Sequence, residues 1–149
     1  CNFYTTYKNM NINIFRPFNV YGKGQDKRFL IPEIMLQVER NTLIEVNTLK
    51  PKRDYIYIDD LVDGLISGMN SFNGLEIYNL GSGMSISVEE VINVIKKEAN
   101  SHVKYTSRNI ERENEINDVV ADISKARELL SWSPKISFDN GIKNIIKKS

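Results

Sequence analysis

The feature that most constrains this chain is a short apolar run, Ile12 to Phe15, that leads straight into Arg16-Pro17-Phe18-Asn19-Val20-Tyr21-Gly22. Such a run reads as a buried strand. Proline and glycine then turn the backbone sharply. In open α/β sheets, ligands gather just past the carboxyl ends of the strands. Asn19 stands at that point with an amide that offers two donors and an acceptor. An Asn at a turn can also bond its own backbone, so both readings stand at this stage.

The rest of the chain alternates strand patterns with helical ones. Phe29 to Val38 reads as a helix, with Leu30, Ile34, Met35 and Val38 along one side and Pro32 in its first turn. Leu43 to Val46 is a short strand, and Asn47 to Lys52 a polar turn. Arg53 to Ile58 alternates like a strand. Asp59 and Asp60 precede a stripe of Leu61, Val62, Leu65, Ile66 and Met69, a position that predicts N-capping rather than acid/base or metal chemistry. Leu75 to Leu80 is a further strand. It ends in Gly81-Ser82-Gly83, and Ile86 stands where a dinucleotide loop needs its third glycine, so a tight structural turn is expected.

Ser87-x-x-Glu90 forms a capping box ahead of Val88, Val91, Ile92 and Ile95. His102 to Tyr105 is a short strand candidate, and His102 receives no function. Asp122 to Leu130 reads as a helix, followed by Trp132 as a core or lid anchor rather than a ligand platform. Phe138 to Lys147 is the last helix, with Ile142, Ile145 and Ile146 inward. Cys1 to Met10 reads as the end of an amphipathic helix carrying Phe3, Tyr4 and Tyr7.

Composition excludes several classes. The 149 residues suffice for one domain, 1–149, with a real core. A net charge of +1 gives no basic field for nucleic acid. A lone cysteine, Cys1, rules out an internal disulfide framework, and a cytoplasmic setting is expected. No apolar run approaches the roughly 20 residues that span a bilayer. The aspartates 54, 59, 60 and 63 lack the spacing of a calcium loop, so no metal site is expected. The single histidine has no Ser or Cys nucleophile in a recognisable elbow.

Three ordered blocks carry a resemblance: RPFNVYG from Arg16, RDYIYIDDLVDGL from Arg53, and IYNLGSGMSISVEE from Ile77. Together they resemble the C-terminal, substrate-binding portion of an extended short-chain dehydrogenase/reductase. That is the family of NAD-dependent nucleotide-sugar epimerases and dehydratases, in the pattern of the UDP-galactose 4-epimerases. The resemblance implies an α/β fold: the last strands of a Rossmann-like parallel sheet plus a small mixed α/β substrate-binding lobe. It implies that Asn19, Arg53 and Arg112 grip the substrate diphosphate and that the backbone near Leu30 meets it at a helix start. Ile44 and Val46 would lie beside the nucleotide base, and Glu115 would touch the ribose. Val20 would touch NAD.

Several positions depart from the family pattern. Lys23 stands where a proline is usual, and the turn before Arg53 lacks the frequent glycines. Asn114 and Glu115 replace Gly and Asp of an Arg-x-Gly-Asp pattern. Tyr4 and Lys8 match Tyr-x-x-x-Lys, but they stand much closer to Arg16 than the family's catalytic pair does. They are read as a chance match, and no residue of this chain is assigned to catalysis. The chain opens without Met in mid-pattern, so a fragment is expected, with the NAD-binding N-terminal half and the true Tyr/Lys pair outside it.

Two readings of different class follow. In the first, the chain is the nucleotide-diphosphate-sugar binding part of an NAD-dependent epimerase or dehydratase, a UDP-sugar being the expected ligand. The full-length enzyme would work through a keto-sugar, and this chain alone would be inactive. In the second, the chain is a catalytically inactive module that binds a nucleotide sugar or only assembles with partners. Either way, exposed apolar surface left by the missing half predicts a homo-oligomer.

Overall fold

The computed structural model describes residues 1–71 and 74–147. Strand β1 (Ile12–Pro17) lies parallel to β5 (Leu75–Leu80), with Ile14 opposite Ile77 and Pro17 opposite Leu80. At Phe18 the chain changes partner. Its N–H still bonds the Leu80 carbonyl at 2.9 Å, but β2 (Asn19–Tyr21) already runs parallel to β4 (Lys52–Tyr57). One extended stretch therefore links the parallel pair to a second, mixed sheet.

The hub of that second sheet is β4. Its carboxyl half pairs with β2, while its amino half pairs antiparallel with β6 (Ser85–Ser87) and parallel with β8 (Asp118–Val119). Strand β3 (Ile44–Val46) pairs with β7 (Tyr105–Ser107) in a separate parallel ladder. The strand expected at His102 to Tyr105 thus lies a few residues later.

A period-two strand sends alternate side chains to opposite faces, and β4 uses this to divide two cores. Ile56 joins Leu61, Tyr78, Leu80, Ala121, Ala126 and Trp132, packed between the β1/β5 pair and helices α3 (Ile58–Met69) and α5 (Ser124–Leu130). Tyr57 joins Tyr21, Ile34, Ile92 and Ile142 in the other core. That core is enclosed by α2 (Leu30–Glu39), α4 (Val88–Glu98) and α6 (Phe138–Lys147). The arrangement matches the expected α/β class, a Rossmann-like parallel pair with a helical lobe beside it.

Helix α4 begins at the expected capping box. Ser87 Oγ accepts from the Glu90 N–H at 3.2 Å, and Glu90 accepts from the Ser87 N–H at 2.6 Å. Helix α3 departs from expectation in two ways. Asp59 and Asp60 do not cap it: the N-cap is Tyr57, with no side-chain bond. Instead the buried carboxylate of Asp60 accepts from the N–H groups of Lys135 and Ile136, at 3.0 and 2.9 Å. It thereby clamps the segment after Trp132, whose indole N–H donates to the Asp60 carbonyl.

The apolar stripe of α3 also splits. Leu61 is buried, but Val62, Ile66 and Met69 are exposed. The packed side is completed by glycines: a Cβ at Gly64 would stand 3.0 Å from the Trp132 ring, and one at Gly68 would collide with the Phe15 ring. Helix α1 (Asn2–Lys8) buries no side chain, and Phe3, Tyr4 and Tyr7 are exposed. Among the described residues no helix is long and apolar enough to cross a membrane.

Candidate functional site

A cleft of about 880 Å³ opens at the carboxyl end of β2, between the β2–β4 seam and the helical lobe. The pleat of β4 determines which of its residues reach it. Arg53 and Tyr55 line the cleft, whereas Asp54 and Ile56 point into the opposite core. Burial pushes the Tyr55 phenol above its usual range, partly offset by the charge of Arg53.

Of the residues expected from the sequence, Asn19, Val20, Leu30, Val46, Arg53, Arg112 and Glu115 all line this one cleft. Ile44 does not: it is fully buried in the lobe core, while Val46, two residues further along the same face of β3, reaches the cleft wall. Asn19 donates from Nδ2 to the Asp54 carbonyl at 3.0 Å, which fixes its amide against β4. Leu30 is the first residue of α2. The N-cap Phe29 supplies no side-chain acceptor, so the helix start faces the cleft uncapped. Such N–H groups favour an anion.

Arg53 is more committed than its expected role implies. Nη1 donates to the carbonyls of Lys52 and Ile116, at 2.8 and 2.7 Å. Nη2 forms an ion pair with Glu115 at 2.6 Å. Arg112, by contrast, has no side-chain hydrogen bond or ion pair among the described residues. The segment carrying Arg112 and Glu115 is tied to β3 by the Arg108 and Ile110 N–H groups, each 2.9 Å from the carbonyls of Val46 and Asn47. Arg108 adds an ion pair to Glu45 at 3.2 Å, and both line the cleft.

Asp54 is the residue that the sequence reading passed over. Its fully buried carboxylate receives the Ser82 N–H and hydroxyl on Oδ1, and the Gly83 and Ala121 N–H groups on Oδ2, all at 2.6 to 3.0 Å. The Gly81–Gly83 turn therefore does cradle an anion, but the anion is the protein's own. A Cβ at Gly81 would collide with Ala121 and stand 2.9 Å from Asp54 Oδ2. The available signal was a carboxylate at an inward position of an alternating strand. No group of three or more His, Cys, Asp or Glu side chains is gathered for a metal ion among the described residues.

Parallel strands whose carboxyl ends meet a helical lobe at a cation-lined cleft make this a Rossmann-like α/β protein. The family model for GDP-mannose 4,6 dehydratase matches residues 1–145. The chain belongs to that family of NAD-dependent nucleotide-sugar epimerases and dehydratases. It is 31% identical over 144 residues to a dTDP-4-dehydro-6-deoxyglucose reductase of Escherichia coli, covering 94% of this chain and 44% of the relative. It is also 31% identical over 142 residues to a UDP-glucuronate 4-epimerase of Thermodesulfobacterium geofontis, covering 94% and 43%.

Among solved structures, the UDP-glucuronic acid 4-epimerase of Bacillus cereus in complex with UDP-glucuronic acid and NAD superposes with a TM-score of 0.85. It shows 25% identity, over 99% of this chain and 49% of that one. The chain thus spans less than half the length of these two curated relatives and about half of that structure.

Proposed function

We propose that this chain is the nucleotide-diphosphate-sugar binding portion of an NAD-dependent epimerase or dehydratase, with a UDP-sugar as its ligand. The observation that carries this reading is the convergence of Arg53, Arg112 and Asn19 on one cleft with the uncapped start of α2. Two guanidinium groups and free helix N–H groups suit a diphosphate. Val46 and Leu30 offer apolar walls for a base, and Glu115 stands in the same cleft, bonded to Arg53. Holding the diphosphate is positioning work: it converts binding energy far from the reacting carbon into alignment of the sugar.

Among the described residues no dinucleotide phosphate cradle is built. The glycine turn that could serve, Gly81–Gly83, is filled by the Asp54 carboxylate. Val20 is the residue proposed to touch NAD, and no reaction step is assigned to this chain. Its proposed partners are the N-terminal half of such an enzyme and a further copy of itself. The exposed Val62, Ile66 and Met69 on α3 favour such assembly.

Titrating the 149-residue chain calorimetrically with UDP-, dTDP- and GDP-sugars tests the reading. Saturable binding of a UDP-sugar is expected, with no turnover when NAD is added. Heat of binding from none of the three overturns it.

A further inference from the structure

Arg53 and Glu115 face a common cleft, yet they face each other first. The side chains are 25% and 15% exposed, so their 2.6 Å pair is partly withdrawn from water. Both hydrogens of Nη1 are taken by the Lys52 and Ile116 carbonyls. A bidentate grip on a phosphate needs two adjacent N–H groups of the planar fork. The edge that remains is Nε with Nη2, and Glu115 sits on Nη2.

The segment around Glu115 is an exposed tip between fixed ends. Ile110 is held by the Asn47 carbonyl, and the Asn117 carbonyl accepts from the Lys52 N–H at 2.8 Å. Between them, residues 111 to 114 are exposed. Asn114 adopts a left-handed conformation at φ 59, and the Glu115 N–H closes the turn onto the Arg112 carbonyl. Arg112 and Glu115 therefore stand at the two ends of one turn.

We propose that Glu115 is an affinity-lowering latch: it occupies Arg53 until the diphosphate of an entering nucleotide sugar takes its place on Nη2. This rests on the nucleotide-sugar reading above. The phosphates meet the uncommitted Arg112 first, then exchange with Glu115 at Arg53. The released turn carries Arg112 with it. Glu115 then sets how tightly a phosphorylated ligand binds, while a ligand without phosphates leaves the latch closed.

The test is an NMR titration of the chain with UDP and with uridine, comparing wild type, E115Q, E115A and E115D. The glutamine keeps the shape without the charge, and the aspartate keeps the charge on a shorter arm. E115Q and E115A should bind UDP about three- to tenfold more tightly than wild type, with uridine unchanged and E115D intermediate. Equal or weaker UDP binding by E115Q and E115A, with wild type still binding UDP, overturns the latch alone. Uridine tightening as much as UDP also overturns it. Binding of UDP by none of the four proteins overturns the site reading and the latch together.

Discussion

Asp54 Oδ1 takes two hydrogen bonds from Ser82, one from its N–H at 2.6 Å and one from its hydroxyl at 2.7 Å. With Gly83 and Ala121 on the other oxygen, this carboxylate joins β4 to the turn after β5 and to the strand region after β8. Removing it leaves the Ser82, Gly83 and Ala121 N–H groups without this acceptor, while the Ser82 hydroxyl can still donate to the Met84 carbonyl at 2.9 Å. Asp54→Ala should therefore lose about 3–5 kcal/mol of stability, read as a fall in the urea midpoint. Ser82→Ala removes the hydroxyl, which bonds Asp54 and the Met84 backbone, but keeps the Ser82 N–H bond to Asp54, and should lose about 1 kcal/mol. Equal losses for the two variants would show that Asp54 does not hold the junction.

The helices of the lobe were legible because their packed sides repeat with helical period. Ile142, Ile145 and Ile146 of α6 are inward as their spacing implied. The stripe of α3 misled because its packed side is partly glycine. Gly64 and Gly68 let the helix approach Trp132 and Phe15, but an absent side chain adds nothing to a hydrophobic pattern. Asp54 and Asp60 were misjudged for another reason. Their partners lie 28 and 67 residues away for Asp54, and 75 and 76 for Asp60. No local spacing encodes such contacts. The strands β2, β6 and β8 are two or three residues long and exist only through pairing with neighbours. At the site, the family resemblance pointed to the cleft lining, but nothing in the letters could say that Arg53 and Glu115 would be paired.

Arg112 reaches the cleft without a committed partner, so its charge is available to a ligand. Arg112→Ala should weaken UDP binding about tenfold or more, with stability unchanged within about 0.5 kcal/mol. Raising salt should narrow the difference. An unchanged UDP affinity in the variant would remove Arg112 from the site.

At the start of α4, the Ser87 N–H and then its hydroxyl hold the Glu90 carboxyl below the usual glutamate range. A depressed carboxyl stabilises the fold above its ordinary value and loses that contribution as pH falls through the folded one. Ser87→Ala should cost about 1 kcal/mol at neutral pH as a lost cap. The gap to wild type should shrink as pH drops below 4.5, the ordinary glutamate value. A gap that stays constant in thermal melts down to acid pH would sink the capping account.

Val62, Ile66 and Met69 present one exposed apolar stripe on α3, and Phe3, Tyr4 and Tyr7 present another surface on α1. Apolar surface of this kind drives association. Light scattering of the concentrated chain should report species heavier than a monomer. Ile66→Glu combined with Met69→Glu should shift them toward monomer without lowering the melting temperature, because neither side chain is packed. A monomeric wild-type chain at high concentration would refute the association.

Tyr21 lies at the centre of the lobe core, in contact with the rings of Tyr57 and Phe138, and its hydroxyl donates to the Phe138 carbonyl at 3.3 Å. Burial, and then the neighbouring Tyr57, push its phenol far above the ordinary value of 10.0. A group whose folded pKa is raised contributes stability that is complete below its unfolded value and declines as pH climbs past it. The chain should therefore lose stability above about pH 10. Tyr21→Phe removes the ionisable oxygen and a long hydrogen bond. It should cost about 1 kcal/mol or less at pH 7, yet flatten the alkaline decline. Tyr55 and Tyr57 are also raised by burial, so some slope remains. Urea midpoints measured from pH 7 to 11 check the sign, and identical alkaline slopes for both proteins would exclude Tyr21 as the group that titrates.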